Sequence, residues 1–151
     1  MEIYDVIRGE YLISTNKALL DFGVIHGFLS RSYWSPGISP DIVKRAAENS
    51  VTFGVYHGNT QVGYARVISD RTTFAYLADV FIVEEERGRG LSKWLVQTIL
   101  QTPFLQGLRR WMLATKDAHG LYVQQGFIPL EDPTIFMQIS KPDIYLETER
   151  K

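Results

Sequence analysis

The chain has 151 residues, 45% of them hydrophobic and 22% charged, which is the size and composition of about one globular domain. Sixteen Lys and Arg against seventeen Asp and Glu leave a formal charge of −1. That excludes a broad basic field for nucleic acid or an anionic membrane and leaves room only for a local anion site. There is no cysteine, so disulfide frameworks, thiolate zinc sites and an acyl-cysteine intermediate are excluded together.

The opening residues, MEIYDVIRGE, carry acids where a leader peptide carries bases, and no stretch reaches eighteen apolar residues. The expectation is a soluble, cytoplasmic protein. His26, His57 and His119 match no metal-ligand spacing, so no metal is expected.

In chain order, Ile3, Val6, Tyr11 and Ile13 alternate weakly and predict a strand or short hairpin broken near Gly9. Helical spacing of Leu19, Leu20, Phe22, Val24, Ile25, Phe28 and Leu29 predicts a helix from Leu19 to Leu29. The run SRSYWSPGISP breaks it. Ser39 then offers an N-cap, with Pro40 at the first helical position and Asp41 at the positive end of the dipole, for a second helix to about Glu48.

VTFGVYHGNTQVGYARVIS reads as a hairpin turning at His57 to Thr60. TTFAYLADVFIV follows as a central strand buried on both faces, with Asp79 as its one carboxylate. After EEERGRG the period changes, and Leu91, Trp94, Leu95 and Ile99 mark a helix ending near Thr102 and Pro103. LRRWMLAT predicts a strand, DAHGLYVQQGF a short helix closed by Gly126, and IFMQI a final strand. The order describes one mixed α/β domain over residues 1–151.

The strongest chemical signal is EEERGRGLSKWL, a strand passing through a glycine turn into a helix. Gly88 and Gly90 allow backbone N–H groups to approach an anion, the helix start adds partial positive charge, and Arg87, Arg89 and Lys93 stand nearby. The plainer reading is a tight connection with solvated arginines. The spacing fits neither a Walker P-loop nor a dinucleotide fingerprint.

On these residues the chain resembles the GCN5-related N-acetyltransferase (GNAT) superfamily, whose hallmark is a strand, [Q/R]-x-x-G-x-[G/A] and a helix. Here it reads Arg87-Gly88-Arg89-Gly90-Leu91-Ser92, with Ser92 where the family prefers Gly or Ala and Glu84 in place of a common proline. A second family signature, N-x-x-A-x-x-L-Y-x-x-x-G-F, is matched at Ala118, Leu121, Tyr122, Gly126 and Phe127, with Thr115 in place of the asparagine. The resemblance covers residues 50–130 well.

The resemblance implies a central, mostly antiparallel sheet flanked by helices. It implies an acetyl-CoA-dependent N-acetyltransferase that transfers by direct attack in a ternary complex. It assigns the cofactor pyrophosphate to Arg87, Gly88, Arg89, Gly90, Leu91 and Ser92, the thioester and pantetheine arm to the backbone of Val80, Phe81 and Ile82, and a further cofactor contact to Thr115. It makes Tyr122 the general acid, since a phenol of pKa about 10 is protonated at neutral pH. The alternatives are a non-catalytic acyl-CoA-binding or regulatory module on the same fold, or a phosphate-ligand domain unrelated to coenzyme A.

An alkylamine acceptor is neutral in about one molecule in 2,500 at pH 7, so a base or a water path to one is useful. Asp79 is the catalytic candidate, with a structural acid paired to a buried donor as its other reading, and Asp70 is a second candidate or a loop cap. Tyr33 and Trp34 could wall the acceptor through cation–π contact, or pack a helix end. Glu84, Glu85 and Glu86 could attract a cationic acceptor or be solvated, Arg109 to Trp111 read as similarly plain surface, and His119 is a conceivable base on the helix bearing Tyr122. The expected partner is a small-molecule or protein amine, with neither nucleic acid nor membrane, and the resemblance suggests a homodimer.

Overall fold

The computed structural model describes residues 2–149. One six-stranded sheet runs in sequence order, β1 (Asp5–Arg8), β2 (Tyr11–Ser14), β3 (Val51–His57), β4 (Thr60–Ser69), β5 (Phe74–Ile82) and β6 (Arg110–Met112). Neighbours are antiparallel except β5 and β6, which are parallel. This is the mixed, mostly antiparallel sheet that the resemblance implies.

Helices cover both faces. On one, α3 (Leu91–Gln101) and α4 (His119–Val123) place Leu91, Trp94, Leu95, Val96, Ile99 and Tyr122 against Phe53, Val55, Ala65, Val67, Ala75, Leu77 and Ile82. On the other, α1 (Phe22–Leu29) and α2 (Pro40–Glu48) bury Ile25, Leu29, Ile38 and Val43 against Tyr64 and Phe81. Burying an apolar side chain of this kind contributes about 1.5–3 kcal/mol. A last helix, α5 (Ile144–Glu149), brings Tyr145 to the second face.

The caps explain the helix limits. The Ser39 side chain accepts from Ile42 N with Pro40 in the first turn, as its residue types predict. The first helix starts later than its apolar spacing predicts: Lys17–Leu19 form a separate 3-10 turn, Leu20 is extended, and Asp21 caps α1 by accepting from Gly23 N and Val24 N. The carboxylate sets the start, and apolar spacing alone could not mark it.

The predicted final strand IFMQI does not form. Asp132 caps a 3-10 turn over Pro133–Ile135, Phe136 is extended, and no ladder pairs the segment. An alternating sequence becomes a strand only when an edge takes its hydrogen bonds.

β5 is also not the uniformly buried strand expected, since Phe74 is exposed and Tyr76, Ala78, Asp79 and Val80 are half-buried. Its register against β4 slips between Tyr64↔Phe81 and Arg66↔Ala78, so Asp79 and Val80 together face the single residue Ala65. Asp79 sits at φ 57°, in the left-handed region. Such a bulge reverses alternation. Before it, Ala75 and Leu77 face the α3 side; after it, Val80 and Ile82 do, and Phe81 crosses to the α1 side.

Candidate active site

β5 pairs with β6 only over Phe74–Tyr76. From Leu77 onward that edge has no strand partner among the described residues, and a cleft opens beside the bulge. Leu77, Ala78, Asp79 and Val80 line a cavity of about 330 Å³ there, and Ile82, at the end of the strand, lines a separate pocket at the glycine turn.

The turn is backbone-built. Gly88 and Gly90 have φ of 81° and 76°, where a side chain is strained. A Cβ on Gly88 would meet nothing within 4 Å, and one on Gly90 only Arg8 Nη2 at 3.9 Å. The glycines are therefore needed for conformation, and the space beside them is open for an anion. Gly90 is the N-cap of α3, with no side chain capping its first turn, so those N–H donors are left for a ligand. Gly88, Gly90, Ser92, Lys93 and Arg87 all line the pocket at this turn.

The two arginines differ. Arg87 Nε donates to Ile82 O at 3.1 Å, tying the guanidinium to the end of β5. Arg89 Nη1 instead donates to Tyr11 Oη at 2.8 Å and reaches Glu86 Oε2 at 3.4 Å. Glu86 is buried, although its charge run reads as solvated. It accepts from Tyr11 Oη at 2.6 Å and meets His57 Nδ1 at 2.9 Å, while His57 Nε2 meets Glu10 Oε2 at 3.1 Å. The Tyr11 hydrogen bond, then His57, hold the Glu86 carboxyl below its ordinary range, and the Glu86 and Glu10 hydrogen bonds raise His57. This cluster braces the turn from behind.

The cavity is side-chain-built and brings together Tyr33, Trp34, Asp79, Val80, Thr115 and Tyr122. Tyr122 is buried at 8% exposure, and its hydroxyl makes no hydrogen bond among the described residues. Burial first, then Tyr33 and Asp117, push its pKa up to about 12, so it is protonated at neutral pH. Gly126, at φ 99°, reverses the chain after α4, and Phe127 N donates to Tyr122 O at 3.1 Å. That closure fixes the helix carrying the phenol.

Asp79 is fully engaged. Arg66 Nε donates to Oδ2 at 2.8 Å and Trp34 Nε1 to Oδ1 at 3.0 Å. The geometry is that of the paired structural acid, with both oxygens occupied. The Trp34 bond also pins the α1–α2 loop over the cavity, and Tyr33 Oη accepts from Lys116 N at 3.1 Å on the opposite wall. Thr115 Oγ1 accepts from Ala118 N at 3.1 Å, bracing the start of α4.

Phe81 does not line the cavity; it stacks on Phe28 at 4.0 Å, while Ile82 lines the turn pocket. Asp70 lies outside both pockets. It accepts from Thr72 N, Thr73 N, Phe74 N and Thr73 Oγ1, and those donors hold it well below the usual carboxylate range. His119 is exposed and lines neither pocket.

Sequence reasoning missed Arg8, beside Gly90 and over the Trp94 ring at 5.5 Å. It also missed Arg66, Tyr64, Tyr76 and Tyr145 in the cavity wall. Their signals are isolated residues on β1, β4, β5 and α5, and only folding brings them together.

A family model described as the acetyltransferase (GNAT) family matches residues 20–127. A Gibberella zeae protein is 35% identical over 138 residues, covering 76% of this chain and 77% of its own. A crystal structure from Xanthomonas campestris pv. campestris is 48% identical, covers 89% of this chain and 96% of its own, and superposes with a TM-score of 0.87. Both are named as putative acetyltransferases, the second of the GNAT family. A Clostridium acetobutylicum predicted acetyltransferase solved with acetyl-CoA shares the fold at TM-score 0.60 and 12% identity, covering 92% of this chain and 95% of its own. A left-handed glycine turn at a helix start, a cleft where two parallel strands part and a buried tyrosine at its far end agree with that match, and the chain belongs to the GNAT acetyltransferase family.

Proposed function

We propose that the protein is an acetyl-CoA-dependent N-acetyltransferase that joins its two substrates in one ternary complex, with a small amine as acceptor. The observation that carries this reading is that the unpaired end of β5 lines both pockets, Val80 the cavity holding Tyr122 and Ile82 the pocket at the glycine turn.

The cradle fits a pyrophosphate: Gly88 leaves open space, the first N–H groups of α3 have no side-chain cap, and Arg87 is fixed beside them. Leu91 and Ser92 complete the turn, while Arg89 contributes its backbone, its side chain being held by Tyr11 and Glu86. The backbone of Val80, at the break in register, would meet the thioester oxygen, with Ile82 and Thr115 along the arm. Bound there, acetyl-CoA supplies a thioester whose acyl carbon gains a bond to the amine nitrogen as the carbon–sulfur bond breaks, the amine proton ending on sulfur.

Tyr122 donates its O–H toward the sulfur as negative charge develops. A phenol near pKa 12 exceeds an ordinary thiol by enough to make complete proton loss to it about 5 kcal/mol uphill. Tyr122 therefore stabilises the leaving group by hydrogen bonding and relays a proton arriving from the acceptor nitrogen. Asp79 holds Arg66 and Trp34 in place and shapes the cavity. Tyr33, Trp34, Tyr64 and Tyr76 supply an aromatic wall for the acceptor.

Titration calorimetry with acetyl-CoA and with coenzyme A, followed by thiol release across an amine panel, tests this reading. Micromolar binding with amine-dependent release is expected. Binding without release under any amine would leave an acyl-CoA-binding module, and no binding to folded protein would overturn the donor assignment.

A further inference from the structure

One wall of the cavity beside Tyr122 is supplied by the last helix of the chain. The apolar walls from α1, α2 and the loop between them include Leu29, Ile38 and Val43, which with Tyr64 are also core residues. A change at any of those would disturb the packing of the second face as well as the cavity.

Tyr145 is placed differently. It alone lines the cavity from α5, and the residues that lead to it, 137–143, are all exposed. The amides of Ile144 and Leu146 donate to Lys141 O at 3.1 Å and Asp143 O at 3.0 Å, so the helix begins on its own local turn. Tyr145 itself is half-buried against the core beneath α1 and α2, while Ile144 beside it is 40% exposed. The phenol is therefore the part of α5 that reaches inward to the cavity.

There it joins Tyr33, Trp34, Tyr64, Tyr76 and Tyr122 around one space of about 330 Å³. Aromatic faces on that many sides favour a cation with an apolar body. Tyr64 is only 1% exposed, and its hydroxyl makes no hydrogen bond among the described residues, so a polar group of a bound molecule has a partner on the cavity floor. The volume is at the small end for a ligand pocket, and Tyr145 is the lining residue whose removal would enlarge it with least change to the fold.

This inference rests on the acetyltransferase reading and narrows its acceptor. We propose that Tyr145 sets the largest acceptor the cavity takes, which makes compact primary amines with an apolar or single-ring body the substrate class and the C-terminal helix the specificity element.

Benzylamine and a naphthylmethylamine, offered to wild type, Tyr145→Ala and Tyr145→Phe, test this. Wild type should favour benzylamine in kcat/KM. Tyr145→Ala should move that ratio toward the naphthyl amine by about 10-fold or more, the scale on which pocket contacts discriminate apolar groups. Tyr145→Phe fills the same space and should keep the wild-type order. Titration of both amines into the coenzyme A complex should show the same shift in dissociation constants, and acetyl-CoA affinity should be unaltered in both variants. An unchanged ratio in Tyr145→Ala would overturn the proposal, as would a wild type that prefers the naphthyl amine or uses only larger acceptors. Lost acetyl-CoA affinity in Tyr145→Ala would overturn it too, placing the residue in the donor site or the fold. If wild type binds acetyl-CoA and releases thiol with no amine, the acetyltransferase reading fails and this inference falls with it.

Discussion

The glycine turn and the cavity at the other end of the cleft are built by different means. The turn is contiguous, from Arg87 to Ser92, and works through left-handed glycines and main-chain donors. The cavity draws side chains from α1, α2, β4, β5, α4 and α5 and from the loops between them. A backbone device tolerates side-chain change and is intolerant of conformational change. A side-chain cavity has the reverse sensitivity, so its occupant can differ while the donor site is kept.

Substitutions at the two ends should separate accordingly. The largest effect is expected from Tyr122→Phe, with turnover falling by about 10²-fold or more and acetyl-CoA affinity unchanged in calorimetry. Wild-type turnover would reduce Tyr122 to packing. At the other end, Arg87→Ala should weaken coenzyme A binding by about 10- to 150-fold, the loss of one charge-assisted contact. Because Arg87 also ties down the Ile82 carbonyl, Arg87→Lys should recover only part of that affinity.

Asp79→Ala leaves the half-buried Arg66 without its carboxylate and with only Ser50 Oγ, 3.2 Å from Nη1, as a partner. The loss should be about 2–4 kcal/mol, a fall in Tm of roughly 5–10 °C by calorimetry. Asp79→Asn can still accept from Trp34 and tolerates the left-handed backbone, so it should lose less. If Asp79 were the general base, the acidic limb of the kcat/KM profile would vanish in the Asn variant; the paired geometry predicts that the limb stays.

The smallest effect concerns the brace behind the turn. His57 is raised above its ordinary value, so its contribution is complete below about pH 6.5 and fades as pH rises through the raised value. Glu86 is lowered, so its contribution is present above the ordinary carboxylate range and fades in acid. The Tm difference between wild type and His57→Gln should therefore be greatest near pH 5 to 6 and shrink above neutrality. A pH-independent difference would remove the charge from the account.

The same contrast explains what could be read from the chain alone. The turn, the Ser39–Pro40 start of α2 and the Gly126 closure are local patterns, and each forms as its residue types dictate. Asp79 was visible as a misplaced carboxylate, but its partner Arg66 lies on another strand and Trp34 on a distant loop. Tyr11 reaches Glu86 across 75 positions, so no local pattern signals that bond. The alternation of IFMQI is real, but a strand also needs a partner, and no ladder takes this segment among the described residues.

The bulge in β5 bears on which kinds of sequence change the domain can absorb. AYLADVFIV is apolar almost throughout, so nothing in its composition marks where the alternation reverses. Substituting Asp79 alters one residue; deleting it would close the bulge, and Val80, Phe81 and Ile82 would continue the alternation of Ala75 and Leu77 on the faces they already occupy. Both hydrophobic layers would survive, and what would go is the left-handed kink and the carboxylate that holds Arg66 and Trp34 beside the cavity. In descent as in engineering, the extra residue is kept by the site and not by the core.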